Sequence, residues 1–236
     1  MTVVGRVVAL WRYPVKSMRA EELESSEVSW QGLAGDRRWA FIRDGQVHSS
    51  FPWLTMRELP QMARYQPRFV DPDRPDASPT LVRTPCGREL DVADPALANE
   101  LGPGVRVIKQ NRGVFDTMPL SLLTTQTLAG LGRLVGSDLA AGRFRPNLLV
   151  EAPGDFPEDA WVGRVLRVGG LRMRVDQRDK RCVMVTIDPE TLDRNPAVLT
   201  AIATERDARV GVYGSTVRPG RVSVGDSVEL EPESAP

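Results

Sequence analysis

The chain has 236 residues, 41% hydrophobic and 26% charged, which is ordinary for a globular protein and long enough to bury one large core or two small ones. Its 31 basic and 31 acidic residues cancel, so no global field favours nucleic acid or an anionic membrane. Two cysteines and one histidine argue against a disulfide framework and lack the ligands for a Cys/His zinc site; only His48 is left for a hydrolase triad, and HSSFPW offers no nucleophile elbow.

In chain order, MTVVGRVVALWRYPVKS is too short an apolar run for a membrane span and lacks the features of a signal peptide, so a cytoplasmic protein is expected. Within it, VVGRVVALWRYP is Val-rich and aromatic and reads as a strand. ELESSEVSW alternates in strand fashion and stops at a turn carrying Gly32 and Gly35. RRWAFIRDGQVHSS is expected as a hairpin about Asp44-Gly45. RYQPRFV, TLVRTP and RELDV are further short strands, interrupted by a Pro/Asp-rich loop from Asp71 to Pro79 and a Pro85-Cys86-Gly87 turn. PALANELG reads as a short helix closed by glycine, and VRVIKQ as a strand.

In TTQTLAGLGRLVG, Thr124 or Thr125 caps a helix whose Leu128, Leu131 and Val135 form an apolar stripe ended by Gly136. FRPNLLVEA, WVGRVLRVGGLRMRVDQ and CVMVTID are expected strands, and NPAVLTAIATER a helix opened by Asn195 and Pro196. VGVYGSTV and RVSVGDSVEL are closing strands joined at Pro219-Gly220. Many short strands with two or three small helices predict a mainly β or α+β, barrel-like architecture without internal repeats.

Arginine is the default cation here, 28 against three lysines at Lys16, Lys109 and Lys180. Two of those lysines fall in basic clusters at strand ends. WRYPVKSM delivers Lys16 and Ser17 into a turn where an ammonium, a hydroxyl and free amides can converge on an anion. GDRRWAF sets Arg37 and Arg38 at a strand start, and GRFRPNLLV sets Arg143, Arg145 and Asn147 before a buried strand, alternate residues sharing a face. DKRCV puts Lys180 and Arg181 beside Cys182. One such arginine alone is more often a solvated surface group; four clusters together point to a shared polar pocket for a phosphate-bearing ligand.

On composition Cys182 has two readings. It is a small hydrophobe opening the strand VMVTI, or a thiolate favoured by Lys180 and Arg181 and serving as nucleophile or metal ligand. Cys86, in a Pro-Cys-Gly turn without such company, reads as structural.

Taken in order, LWRYPVKS, GDRRWAF, FDTMPLSLLT, FRPN and RCVMVTIDPET resemble the MOSC family, named for the C-terminal domain of molybdenum cofactor sulfurase. The resemblance covers nearly the whole chain and is greatest to members with an additional N-terminal β-barrel, among them the mitochondrial amidoxime-reducing component. It implies an N-terminal β-barrel domain over 1–110 and a MOSC domain over 111–236, a pyruvate-kinase-like β-barrel with a few short helices. It also implies a bound molybdenum cofactor (Mo-molybdopterin), in a crevice between the halves, with Cys182 as metal ligand. Lys16, Ser17, Arg37, Arg145, Asn147 and Arg181 match cofactor-contacting positions, with Lys180 beside them; Asp116, Thr117 and Met118 match the metal side. A soft thiolate for molybdenum and a Lys/Arg cluster for phosphate agree with the residue-level reading. Met118 stands where some relatives carry a small polar residue, so a substrate-side contact is expected to differ.

The resemblance implies an oxidoreductase that reduces small N-hydroxylated compounds, with Cys182 and Asp116 as catalytic residues and Asp116 relaying protons. VELEPESAP carries no cysteine-rich segment, so electrons are expected from a separate ferredoxin, flavin or haem protein. The alternatives are a non-catalytic carrier of the cofactor or of sulfur, using Cys182, and a barrel serving only as an interaction module.

Overall fold

The first strand, β1 (Thr2–Arg12), is followed by β2 (Glu21–Glu22), β3 (Ser25–Ser29), β4 (Gly32–Leu33) and β5 (Trp39–Arg43) in this computed structural model, which describes residues 1–46 and 48–232. Then come β6 (Gln66–Phe69), β7 (Thr80–Arg83), β8 (Glu89–Asp91), helix α1 (Pro95–Leu101) and β9 (Val105–Lys109). The remainder holds β10 (Leu120–Thr124), helix α2 (Thr125–Val135), β11 (Leu148–Glu151), β12 (Val165–Val168), β13 (Leu171–Lys180), helix α3 (Pro196–Arg206), β14 (Arg209–Arg218), β15 (Gly220–Ser223) and β16 (Ser227–Leu230).

Seven strands close a barrel in the order β1–β11–β10–β14–β13–β12–β16 and back to β1. The fold is mainly β, as expected. β10 and β11 pair in parallel and the other neighbours antiparallel. β1 sets Leu10 against Leu148 of β11 and Arg6 against Ser227 of β16, so the first residues of the chain close a barrel otherwise built after residue 119. β15 likewise pairs with β3, which makes the seam between the two expected halves a hydrogen-bonded one. Alternate residues of the staves point inward, and Val7, Leu10, Leu122, Leu148, Val150, Leu166, Met173 and Val212 are buried in one core. A second core, under β5–β9 and the β6–β7–β8 meander, holds Met18, Phe41, Leu54, Met62, Val82 and Leu97. Among the described residues no helix is long and apolar enough to cross a membrane.

Several sequence expectations change, among them WVGRVLRVGGLRMRVDQ, which breaks at Gly169-Gly170 into the antiparallel pair β12 and β13. The Asp44-Gly45 turn forms, but its strand β5 takes β9 as partner, with Phe41 opposite Val107, and Asp44 N–H bonds Gly104 O at 2.8 Å. Of the expected second arm Val47 lies outside the described residues, and 46 and 48–50 form no strand. CVMVTID is not a strand: Val183–Thr186 winds into a 3-10 turn. Val185 reaches one core and Ile187 another, which a flat strand with a single buried face would not satisfy. RVSVGDSVEL breaks at Gly225 (φ +92°) into β15 and β16, which serve different sheets.

The helix ends follow their local signals. Asp94 caps α1, Asn195 caps α3, and Gly136 ends α2 in the left-handed conformation. At the start of α2, Thr124 Oγ accepts from Thr127 N–H, and both threonine hydroxyls donate to the fully buried Glu158 Oε2, at 2.7 and 2.8 Å. Burial pushes the Glu158 carboxyl above its ordinary range, against the two hydroxyl bonds. A proton held more tightly in the folded chain than in the unfolded one lends stability that is complete at acid pH. That stability is lost as pH rises through the folded value. Glu158→Gln should therefore lie within about 1 kcal/mol of wild type at acid pH and become the more stable protein at alkaline pH, as read from urea unfolding across the range.

Candidate functional site

A cavity of about 350 Å³ opens where the barrel meets the N-terminal sheets. Its walls come from the segments that follow β1, β5 and β13, those that precede β5, β10 and β11, and Tyr213 of β14. Lys16, Ser17, Arg37, Arg145 and Asn147 all line it, as do Asp116, Thr117, Met118, Lys180, Arg181 and Cys182. Arg38 does not: it bonds Gln110 O at 2.9 Å and pairs with Asp76 on the outer face.

Three of these residues hold positive φ without being glycine: Ser17 at 66°, Arg37 at 50° and Arg145 at 52°. Such backbone costs of order 1 kcal/mol or more per residue and persists only where the surroundings impose it. Here they do. Lys16 N–H bonds Trp39 O at 2.8 Å and Arg37 N–H bonds Tyr13 O at 2.7 Å, zipping 13–17 to 37–39. The centre is Asp36, 1% exposed, which sequence reading passed over. It accepts from Tyr13 N–H at 2.7 Å, from Asn147 Nδ2 at 3.2 Å and from the Arg37 guanidinium. Asn147 also donates to Trp11 O and accepts from Ser121 N–H, both at 3.2 Å, so both its amide hydrogens are engaged within the protein. It lines the cavity as a strut between β1, β10 and β11.

Arg37 and Arg145 place their guanidinium carbons 4.5 and 4.2 Å from the Tyr13 ring centre. Burial, with Arg37 as a like-charged neighbour, lowers the Arg145 guanidinium to about 10, so it stays charged at neutral pH. Arg181 is fixed by bonds to Val210 O and Phe144 O, both 2.8 Å, and contacts Asp179. Burial raises Asp179 to about 6, outweighing Arg181 and Tyr213. Arg143 also lines the cavity and braces its wall, bonding Thr186 O at 3.0 Å and Asp188 at 2.8 Å.

Among the buried donors without a hydrogen-bond partner are Arg145 Nη2, Arg181 Nη2, Ser121 Oγ and Arg143 Nε. Leaving such groups unmet costs about 1–3 kcal/mol each, more when charged. Their residues line the same cavity.

At the other side Lys16 Nζ donates to Val114 O at 3.0 Å and to Asp116. Burial lowers Lys16 against the pull of Asp116. Burial would raise Asp116, yet Lys16 and Arg57 hold it below its ordinary value. Cys182, half-buried, ends this row, with Arg57 Nη2 at 3.5 Å from Sγ. Arg57, Ser121, Asp179 and Tyr213 were not singled out by sequence reading; one lone basic residue in TMREL carries no local signal. Among the described residues no group of three or more His, Cys, Asp or Glu side chains gathers to hold a metal. Cys86 is exposed in the β7–β8 turn, apart from the cavity.

The closed barrel thus meets a cavity that gathers Lys16, Arg37, Arg145 and Arg181 with one thiol, Cys182. The chain belongs to the MOSC domain family: the model of that domain matches residues 109–229, and that of the MOSC N-terminal beta barrel domain matches residues 4–99. The chain is 25% identical over 290 residues to human mitochondrial amidoxime reducing component 2, spanning 95% of this chain and 83% of that protein. It is 26% identical over 252 residues to a molybdenum cofactor sulfurase of Drosophila mojavensis, spanning 88% of this chain but only 31% of that protein. The fold is similar to that of the YUAD protein from Bacillus subtilis, with a TM-score of 0.53, 12% identity, and 96% and 95% of the two chains covered.

Proposed function

We propose that this protein binds a molybdenum cofactor in the cavity and reduces N-hydroxylated compounds with electrons from a separate protein. The observation that carries the reading is the set of buried, unpartnered donors on Arg145, Arg181 and Ser121 in the same cavity as the single thiol of Cys182. A phosphate would supply acceptors for such donors, and a metal chelated by a pterin dithiolene needs few protein ligands, which suits a site with one sulfur. The names of the relatives, amidoxime-reducing component and cofactor sulfurase, point the same way.

In this reading Arg145, Arg181 and Ser121 would hold the phosphate, Arg37 would lend charge from its anchorage on Asp36, and Cys182 Sγ would ligate the metal. The cofactor supplies two-electron transfer at the metal. The substrate loses its N–O oxygen as water, which consumes two electrons and two protons per turnover. Asp116, held ionised, accepts protons and returns them through Lys16 Nζ, whose acidity burial has increased. Thr117 and Met118 border the substrate.

The test is reduction of an aromatic amidoxime by protein made in a host that synthesises the cofactor, with a chemically reduced viologen as electron source. Molybdenum-dependent formation of the amidine supports the reading. Loaded protein that turns nothing over but activates a cofactor-free acceptor enzyme would make it a carrier instead.

A further inference from the structure

Arg57 lies between β5 and the Pro60–Arg64 turn, outside every motif the sequence offered. Its base is anchored: Arg57 N–H bonds Thr55 Oγ1 at 3.3 Å, and Thr55 itself is buried. Its Nη2 donates to Cys182 Sγ at 3.5 Å and sits 3.6 Å from Asp116 Oδ2, while the guanidinium carbon lies 5.2 Å from the Phe51 ring centre. One cation thus spans the thiol and the carboxylate, held from a third side by an aromatic face. A guanidinium suits this task because it keeps its charge and its Nη2 alone carries two N–H bonds held in a fixed plane.

A donor on a ligating sulfur draws electron density away from the sulfur–metal bond and stabilises the more reduced metal. The geometry points to Arg57 as a positioning residue that fixes Cys182 Sγ and raises the reduction potential of a metal bound there. This rests on the molybdenum reading of the site and adds a residue and a role to it. It also gives the N-terminal half a part in the redox chemistry, because Arg57 is supplied from before residue 110.

The experiment is a potentiometric titration of the molybdenum(V) electron paramagnetic resonance signal in wild type and R57A. Metal content and thermal midpoint are measured on the same samples. The expected result is equal metal content and equal thermal midpoint, with the molybdenum couple moved to lower potential in R57A. An unchanged potential at full loading overturns the role of Arg57 and leaves the cofactor reading standing. Absence of molybdenum from wild type overturns both. Should R57A alone fail to load, R57K is titrated in its place: its shorter side chain keeps the charge but not the planar guanidinium geometry that sets Nη2 against both groups. A lower potential in R57K supports the role, and an unchanged one overturns it.

Discussion

Replacing Cys182 with alanine should cost the protein its molybdenum while leaving the fold intact. Protein made in a cofactor-producing host, and then exposed to free cofactor, should carry close to stoichiometric metal as wild type. As C182A it should lose more than about tenfold, since even changes behind the ligands commonly cost ~10–100-fold. The fold is spared because Cys182 belongs to no strand and is only half-buried. The neighbouring loop is held by the buried Val185 and Ile187 and by the bonds of Arg143 to Thr186 O and Asp188. Metal analysis by mass spectrometry decides it: equal molybdenum in both proteins would return Cys182 to a packing role and remove the sulfur from the proposed site.

Asp36→Asn should have the largest effect on stability. The carboxylate is buried beside the Arg37 guanidinium, and losing one partner of such a pair costs about 3–5 kcal/mol because the other charge stays buried alone. In a chain of this size that is a fall of on the order of 10 °C in thermal midpoint. Tyr13, Arg37 and Asn147 would all loosen, so cofactor retention should fall with stability although Asp36 is outside the cavity lining. Adding Arg37→Gln should recover part of the stability but none of the retention, because it removes the orphaned charge together with a cavity cation. A single D36N as stable as wild type would show that the network is not what imposes the strained backbone at Arg37.

Local chemistry was legible wherever a signal and its partner lie within a few residues. Thr124 and Asn195 announce helix starts, Gly102 and Gly136 helix ends, and Asp44-Gly45 a turn. Each depends on a hydrogen bond or a φ angle that the adjacent sequence fixes. The basic clusters were equally plain, and the cavity collects Lys16, Arg37, Arg145 and Arg181 from them. Which member of a pair turns inward was not. Arg37 enters and Arg38 leaves because Asp36 and Gln110 wait on opposite sides, and Gln110 lies 72 residues away from Arg38.

Readable in the sequence alone were a β-rich chain with two or three small helices and four basic clusters at strand ends, one of them beside Cys182. Periodicity, caps and composition are local quantities and survive without a fold. Only the tertiary structure decided that β5 pairs with β9 instead of folding back on itself, and that β1 completes a barrel of distant strands. It also wound the residues after Cys182 into a turn between two cores and brought Arg57 to the sulfur. These choices depend on which unpaired strand edges and buried charges find each other across the chain. That is settled by closing the barrel and filling its cores, which no window of sequence contains.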